Sequence, residues 1–152
     1  MGFVNCLIYL IVSGLCIFFI GRIFPRKFIK EKCFPFKSYK FEKNGKIYEK
    51  IKIKKWKTKL PDASVIIHKF VPKLMPEKRI RNLKKANIET LVKESCVAEL
   101  THFFAALCGF LCIKIWYKKW GVFLSIINMI CHIPFILIQR YNRPRLEKFN
   151  LN

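Results

Sequence analysis

The chain has 152 residues, is 53% hydrophobic, and carries 30 Lys and Arg against 9 Asp and Glu, a net charge of +21. A soluble domain is rarely both this apolar and this basic. Seven cysteines, an odd number with no CxxC pair, argue against a disulfide framework or a zinc site; no zinc-finger, helix-turn-helix or aromatic RNA-binding pattern supports a nucleic-acid reader.

The two properties are segregated along the chain, which reads as one small membrane domain over residues 1–152. Residues 3–21 carry no charge and, as a helix, span about 28 Å, the thickness of a hydrocarbon core. No basic residue precedes them, while Arg22, Arg26 and Lys27 follow. The block therefore reads as an uncleaved span with its N-terminus outside; a cleaved signal peptide is the alternative. The polar body, residues 22–96, follows. Residues 22–95 hold 23 Lys and Arg and 7 Asp and Glu, an excess of 16 positive charges. Asn44-Gly45 signals a turn. Ile47, Ile51 and Ile53 partly alternate, as in a hairpin strand, while Ile47, Tyr48 and Ile51 also share one helical face; a short helix is the preferred reading and a strand the alternative. Pro61 bars helix continuation after Leu60.

Pro76-Glu77 has the form of a helix first turn, with an acid near the positive end of the dipole. Ile80, Leu83, Ile88, Leu91 and Val92 then fall mainly on one side and Lys and Arg on the other. This is a basic amphipathic helix over about residues 77–95, suited either to an anionic membrane surface or to packing on the body. Residues 97–113 form a second apolar span, in which Ala105, Ala106 and Gly109 allow close helix approach. A short turn with Trp116, Tyr117 and Trp120 leads to the third span, residues 120–138, and a tail, residues 139–152. Pro144 is expected to stop the last helix just past the interface. The expected fold is mainly α: a small polytopic membrane protein with three transmembrane helices and a basic body containing an amphipathic helix. The Lys and Arg asymmetry puts body and tail in the cytoplasm.

That topology brings the start of the second span and the end of the third to one interface. Glu99 and His102 are three residues apart, neighbours on one helical face. His102 lies about 7 Å and His132 about 9 Å below the helix ends, at similar depth on antiparallel helices. Arg140, Tyr141, Asn142 and Arg143 follow the third span directly, as headgroup anchors or as a polar site. A neutral His accepts a proton from a hydroxyl, and a neighbouring Glu fixes its tautomer and stabilises its cation. Guanidinium and phenol donors hold a developing oxyanion. This is equipment for acyl transfer to an alcohol. A helix-start Glu bonded to an interfacial His, with no catalytic part, is the structural alternative.

Four stretches carry a resemblance: Phe41-Glu42-Lys43-Asn44-Gly45-Lys46; Trp56-Lys57-Thr58-Lys59-Leu60-Pro61-Asp62; Glu99-Leu100-Thr101-His102; and Ile133-Pro134 through Gln139-Arg140-Tyr141-Asn142-Arg143-Pro144-Arg145-Leu146. In this order over residues 34–146, the chain resembles the glycosyl-4,4'-diaponeurosporenoate acyltransferases, the last enzymes of staphyloxanthin-type carotenoid synthesis. The resemblance implies a membrane enzyme that esterifies a sugar hydroxyl of a glycosylated C30 carotenoid acid, or a related glycolipid, with a fatty acyl group. Matches to its motifs are Glu99, His102, Trp56, Asp62, Arg140, Tyr141, Asn142 and Arg143. His132 departs from the family pattern, which tends to place Asn before that apolar-Pro pair, and so ranks lower.

The expected catalytic residues are thus His102, as base, and Glu99; Arg140, Tyr141, Asn142, Arg143, Trp56 and Asp62 are expected to contact substrate. No metal or cofactor is expected. The expected partners are membrane lipid, the glycoside acceptor and an acyl-CoA or acyl carrier protein thioester, whose negative charge suits the basic body; Lys55, Lys57 and Lys59 are candidates for that contact. The competing reading is a non-catalytic scaffold that binds anionic lipid through its basic helix and arginine tail.

Overall fold

The computed structural model describes residues 2–60, 85–117 and 119–149. The described residues are mainly helical and include no strand. The α-helices are α1 (Gly2–Ile23), α2 (Ile47–Lys50), α3 (Ile53–Trp56), α4 (Lys85–Cys108), α5 (Cys112–Ile115) and α6 (Lys119–Phe149). Three helical stretches, Gly2–Ile23, Ile88–Ile115 and Lys119–Lys148, are long and apolar enough to cross a membrane. The chain forms two compact units: Met1–Pro25 with Cys96–Gln139, and Arg26–Ser95 with Arg140–Asn152.

In the first unit, α1 packs against α5. Many of its large apolar side chains, Ile8, Ile11, Leu15 and Ile20 among them, are exposed, as a lipid-facing helix requires. The second apolar stretch is not one regular helix. It tightens to a 3-10 turn at Gly109–Leu111 before α5 resumes, and such a change of pitch frees or reorients carbonyls. In hydrocarbon those carbonyls need internal donors. The Tyr9 hydroxyl donates to the Cys108 carbonyl at 2.9 Å. The Ser125 hydroxyl lies 2.8 Å from the Gly109 and Gly121 carbonyls. Asn128 Nδ2 donates to Ala105 at 3.0 Å and to Ala106 at 3.4 Å. Cys6 Sγ points at the Cys112 carbonyl, 3.7 Å away. The small residues Ala105, Ala106 and Gly109 are buried; a Cβ on Gly109 would collide with the Asn128 side chain. Close approach here therefore serves a polar contact.

In the second unit the short helix expected near residue 47 is present as α2. The turn before it has three successive left-handed residues, Lys43, Asn44 and Gly45, with φ of 48°, 55° and 84°. Asn and Gly adopt that region at low cost. Gly45 is needed for a second reason: a Cβ there would sit 3.2 Å from the Tyr141 carbonyl. The basic amphipathic helix expected at 77–95 lies partly outside the described residues. Its described part, from Lys85, is the beginning of α4 and continues unbroken into the second apolar stretch, with Ile88 and Val92 buried.

Pro144 does not stop the last helix, which runs through it to Phe149. An interior proline costs about 3 kcal/mol, since it lacks an N–H and crowds the carbonyl four residues back. Burial of Tyr141 and Arg143, and the bonds their neighbours make in the second unit, offset that cost. Local propensity yields to tertiary contacts here.

Asn128→Leu should lower the unfolding midpoint of the detergent-solubilised protein, by about 1 kcal/mol for the intramembrane hydrogen bonds lost. An unchanged midpoint would mean the Ala105 and Ala106 carbonyls need no side-chain donor.

Candidate functional site

The first unit holds a histidine pair. His102, on α4, and His132, on α6, meet with their Nδ1 atoms 3.2 Å apart. Their ring centroids are 5.4 Å apart, and Phe135 stacks on His102 at 4.7 Å with an interplanar angle of 12°. The similar depth read from helix rise thus becomes a contact. Only one Nδ1 can carry the shared proton, so the rings hold opposite tautomers. The donor ring keeps a lone pair on Nε2; the acceptor ring carries its proton there. His102 thus contacts His132, and Glu99, expected beside it, is 8% exposed and lies one turn earlier on α4.

The arginine segment belongs to the second unit, and each of its members has protein contacts. Arg140 makes a two-pronged ion pair with Glu42, Nε to Oε1 at 2.5 Å and Nη2 to Oε2 at 2.9 Å. It also donates to the Pro35 carbonyl at 3.2 Å and stacks on Tyr39 at 5.0 Å. Glu42 is 2% exposed and accepts further bonds from the Tyr48 hydroxyl and, at 2.7 Å, from the Tyr39 N–H. Arg143, equally buried, donates to the Phe36 carbonyl at 2.8 Å and the Ser95 carbonyl at 3.4 Å. Tyr141 is 1% exposed, with Lys57 Nζ 4.8 Å and Arg145 Cζ 3.7 Å from its ring centre. Asn142 accepts from Lys57 Nζ at 3.1 Å. Trp56 is half-buried, its Nε1–H bonded to the Ile51 carbonyl at 2.9 Å. Asp62 lies outside the described residues. Among those residues no group of three His, Cys, Asp or Glu is placed to hold a metal ion.

The motif stretches therefore meet within units. The stretches around 99–102 and 132–135 meet through His102; those around 41–46 and 56–59 meet the 140–145 segment through Glu42 and Lys57. Reading the sequence had left Glu42, Tyr48 and Arg145 outside the site. The signal for Glu42 was its rarity: a helix end loaded with guanidinium groups needs an acid, and few exist.

Electrostatics follow from these contacts. Burial pushes the Glu42 carboxyl up, but bonds from Arg140, Tyr48 and the Tyr39 amide outweigh it and hold the group below the usual carboxylate range. Tyr48 is pushed up to about 12 by burial and by its bond to Glu42. Glu49 is lowered by bonds from Lys54 and Arg145. Burial, then the nearby Arg145 and Lys54 charges, lower Lys57. A depressed carboxyl stabilises fully above its unfolded value of about 4.3 and loses that contribution as pH falls through the folded value. A raised phenol stabilises fully below about 10 and loses its contribution as pH rises toward its folded value. The unfolding midpoint should thus fall below about pH 4 as Glu42 is protonated and above about pH 10 as Tyr48 is ionised, the latter fall partly offset by deprotonation of the depressed Lys57 ammonium. Glu42→Gln should remove most of the acid arm. An acid arm unchanged in that variant would assign it to other carboxyls.

The profile of the glycosyl-4,4'-diaponeurosporenoate acyltransferase family matches residues 26–151. Proteins of that name from Staphylococcus aureus strains N315 and USA300 are each 32% identical to the chain over 148 residues, covering 94% of this chain and 84% of theirs. No solved structure matches the chain. With the family profile matching residues 26–151 and relatives of that name 32% identical over 94% of the chain, the protein belongs to the glycosyl-4,4'-diaponeurosporenoate acyltransferase family.

Proposed function

We propose that the protein is a membrane O-acyltransferase that moves a fatty acyl group from a thioester to a sugar hydroxyl of glycosyl-4,4'-diaponeurosporenoate or a closely related glycolipid. The observation that carries the chemistry is the 3.2 Å contact between His102 and His132. When His102 donates its Nδ1–H to His132, its Nε2 is left as a base. The hydroxyl oxygen attacks the thioester carbonyl carbon while its proton moves to His102 Nε2. The oxyanion forms, the C–S bond breaks, and the same proton passes to the departing thiolate. No proton is gained or lost by the enzyme. His132 fixes the tautomer, and its own Nε2–H is a donor suited to the oxyanion. Glu99, one turn earlier on α4, stabilises the transient imidazolium through its charge.

The remaining expected contacts divide. Arg140 and Arg143, with their partners inside the second unit, act as positioning residues; Asn142 and Tyr141 belong to the group discussed below. Trp56 is retained as a contact for the acceptor. The basic body and the segment after residue 139 face the cytoplasm, where an acyl-CoA or acyl carrier protein is available, since loops rich in Lys and Arg stay on that side. The acceptor's apolar tail remains in the bilayer with its sugar at the headgroup level. A purely lipid-binding scaffold would use the histidine pair only as a bond between helices.

Lipid and pigment mass spectrometry of cells carrying variants tests the reading. His102→Ala should lower formation of the acylated glycoside by at least about a hundredfold, the usual worth of a positioned base, with membrane insertion intact. His132→Asn, whose Oδ1 accepts the same bond, should retain more activity than His132→Leu. Full ester formation by His102→Ala would remove the pair from the mechanism.

A further inference from the structure

Among the described residues of the second unit, three carboxylates are committed to ion pairs. Glu42 holds Arg140, Glu94 holds Arg26 at 2.7 Å, and Glu49 is shared by Arg145 and Lys54, the latter at 3.1 Å. Lys57 is half-buried. Among the described residues its contacts are the Asn142 amide oxygen and the Tyr141 ring. Arg145 shares that ring. Two cations thus face one buried phenol ring, with Lys54 close by and, among the described residues, a single carboxylate, Glu49, paired with any of the three. Burial and like charge both press on the Lys57 ammonium, a cost that a bound anion relieves.

The parts are those of an oxyanion receptor. The ammonium is a point charge with three donors. Beyond its bonds to Glu49 and to the Tyr141 carbonyl the guanidinium keeps further N–H donors in its planar fork, and its side chain is 35% exposed. Tyr141 and the Gly45 turn hold both in place: the turn backbone lies against the Tyr141 carbonyl, and Arg145 Nη1 reaches that same carbonyl at 3.4 Å. We propose that Lys57, Asn142 and Arg145, seated on Tyr141, form a phosphate-binding site. Its occupant is the phosphate of a phosphorylated acyl donor, a coenzyme A or phosphopantetheine thioester. That assignment rests on the acyl-transfer reading; the phosphate chemistry itself does not. A phospholipid headgroup presents the same group, and the test separates the two sources.

Binding is measured by calorimetry on the full chain in uncharged detergent, with coenzyme A, with pantetheine, which lacks phosphate, and with inorganic phosphate. A parallel arm compares retention on phosphatidylglycerol and phosphatidylcholine nanodiscs. Coenzyme A should bind and pantetheine should not. Lys57→Met, which keeps the apolar stem, should weaken coenzyme A binding about tenfold, the usual worth of one charged hydrogen bond. Arg145→Lys should weaken it too, by removing the fork while keeping the charge. Lys50→Met, an exposed lysine outside the group, should change it less than about twofold, as a control for net charge. Loss of selective phosphatidylglycerol retention in Lys57→Met, with coenzyme A unaffected, would support the phosphate site and make its source a lipid. Equal binding of pantetheine and coenzyme A, or wild-type behaviour of Lys57→Met in both arms, would overturn the proposal. Phosphate binding that survives in a protein unable to form esters would sink the acyl-transfer reading and leave this one standing.

Discussion

The ion pair between Glu42 and Arg140 is the contact on which the second unit is built. The chain has 9 acids for 30 basic residues, so most cations must stay in water. A guanidinium that goes inside needs a carboxylate or carbonyls. Glu42 is placed to satisfy one such group fully: it takes both prongs of Arg140, the Tyr48 hydroxyl and the Tyr39 amide. Its partners come from a turn and from a helix 98 residues later in the chain. A buried pair of this kind is weak evidence for net stability and better evidence for register. Here the register it sets is that of the 39–48 turn region against residues 140–145, and Gly45 is the backbone consequence.

The same demand for satisfied polar groups governs the first unit, with carbonyls in place of charges. The pitch change at Gly109–Leu111 exposes main-chain oxygen where lipid supplies no donor. Tyr9, Ser125 and Asn128 supply it. The histidine pair is of the same fabric, two polar rings bonded to one another across helices. It differs in one respect: the tautomer logic of two imidazoles sharing one proton produces a base and a donor at once.

How much of this was legible in the sequence varies by cause. Three apolar blocks of bilayer length announced three long helices, because length and charge exclusion suffice for that inference. The similar depth of His102 and His132 was legible from helix rise, but their contact was not, since depth does not fix which way a side chain faces. Pro144 misled, because helix propensity is a local quantity and the burial of Tyr141 and Arg143 is not. The arginine segment was legible as chemistry and not as partnership: side-chain type shows that Arg140 wants an oxyanion, whereas only the fold shows that Glu42 supplies it. Ser125 and Asn128 went unnoticed because their block was judged by its average apolarity.

The central claim is that Arg140 is committed to Glu42 and holds the second unit together, a positioning part in the proposed reaction. A double-mutant cycle tests it, with Glu42→Gln, Arg140→Gln and both together compared by unfolding free energy and by ester formation per folded protein. The account predicts a coupling of about 1–3 kcal/mol in stability, as for contacting charged groups, and comparable turnover for whatever remains folded. Additive stabilities, together with ester formation lost only when Arg140 is replaced, would contradict it and make Arg140 a ligand contact.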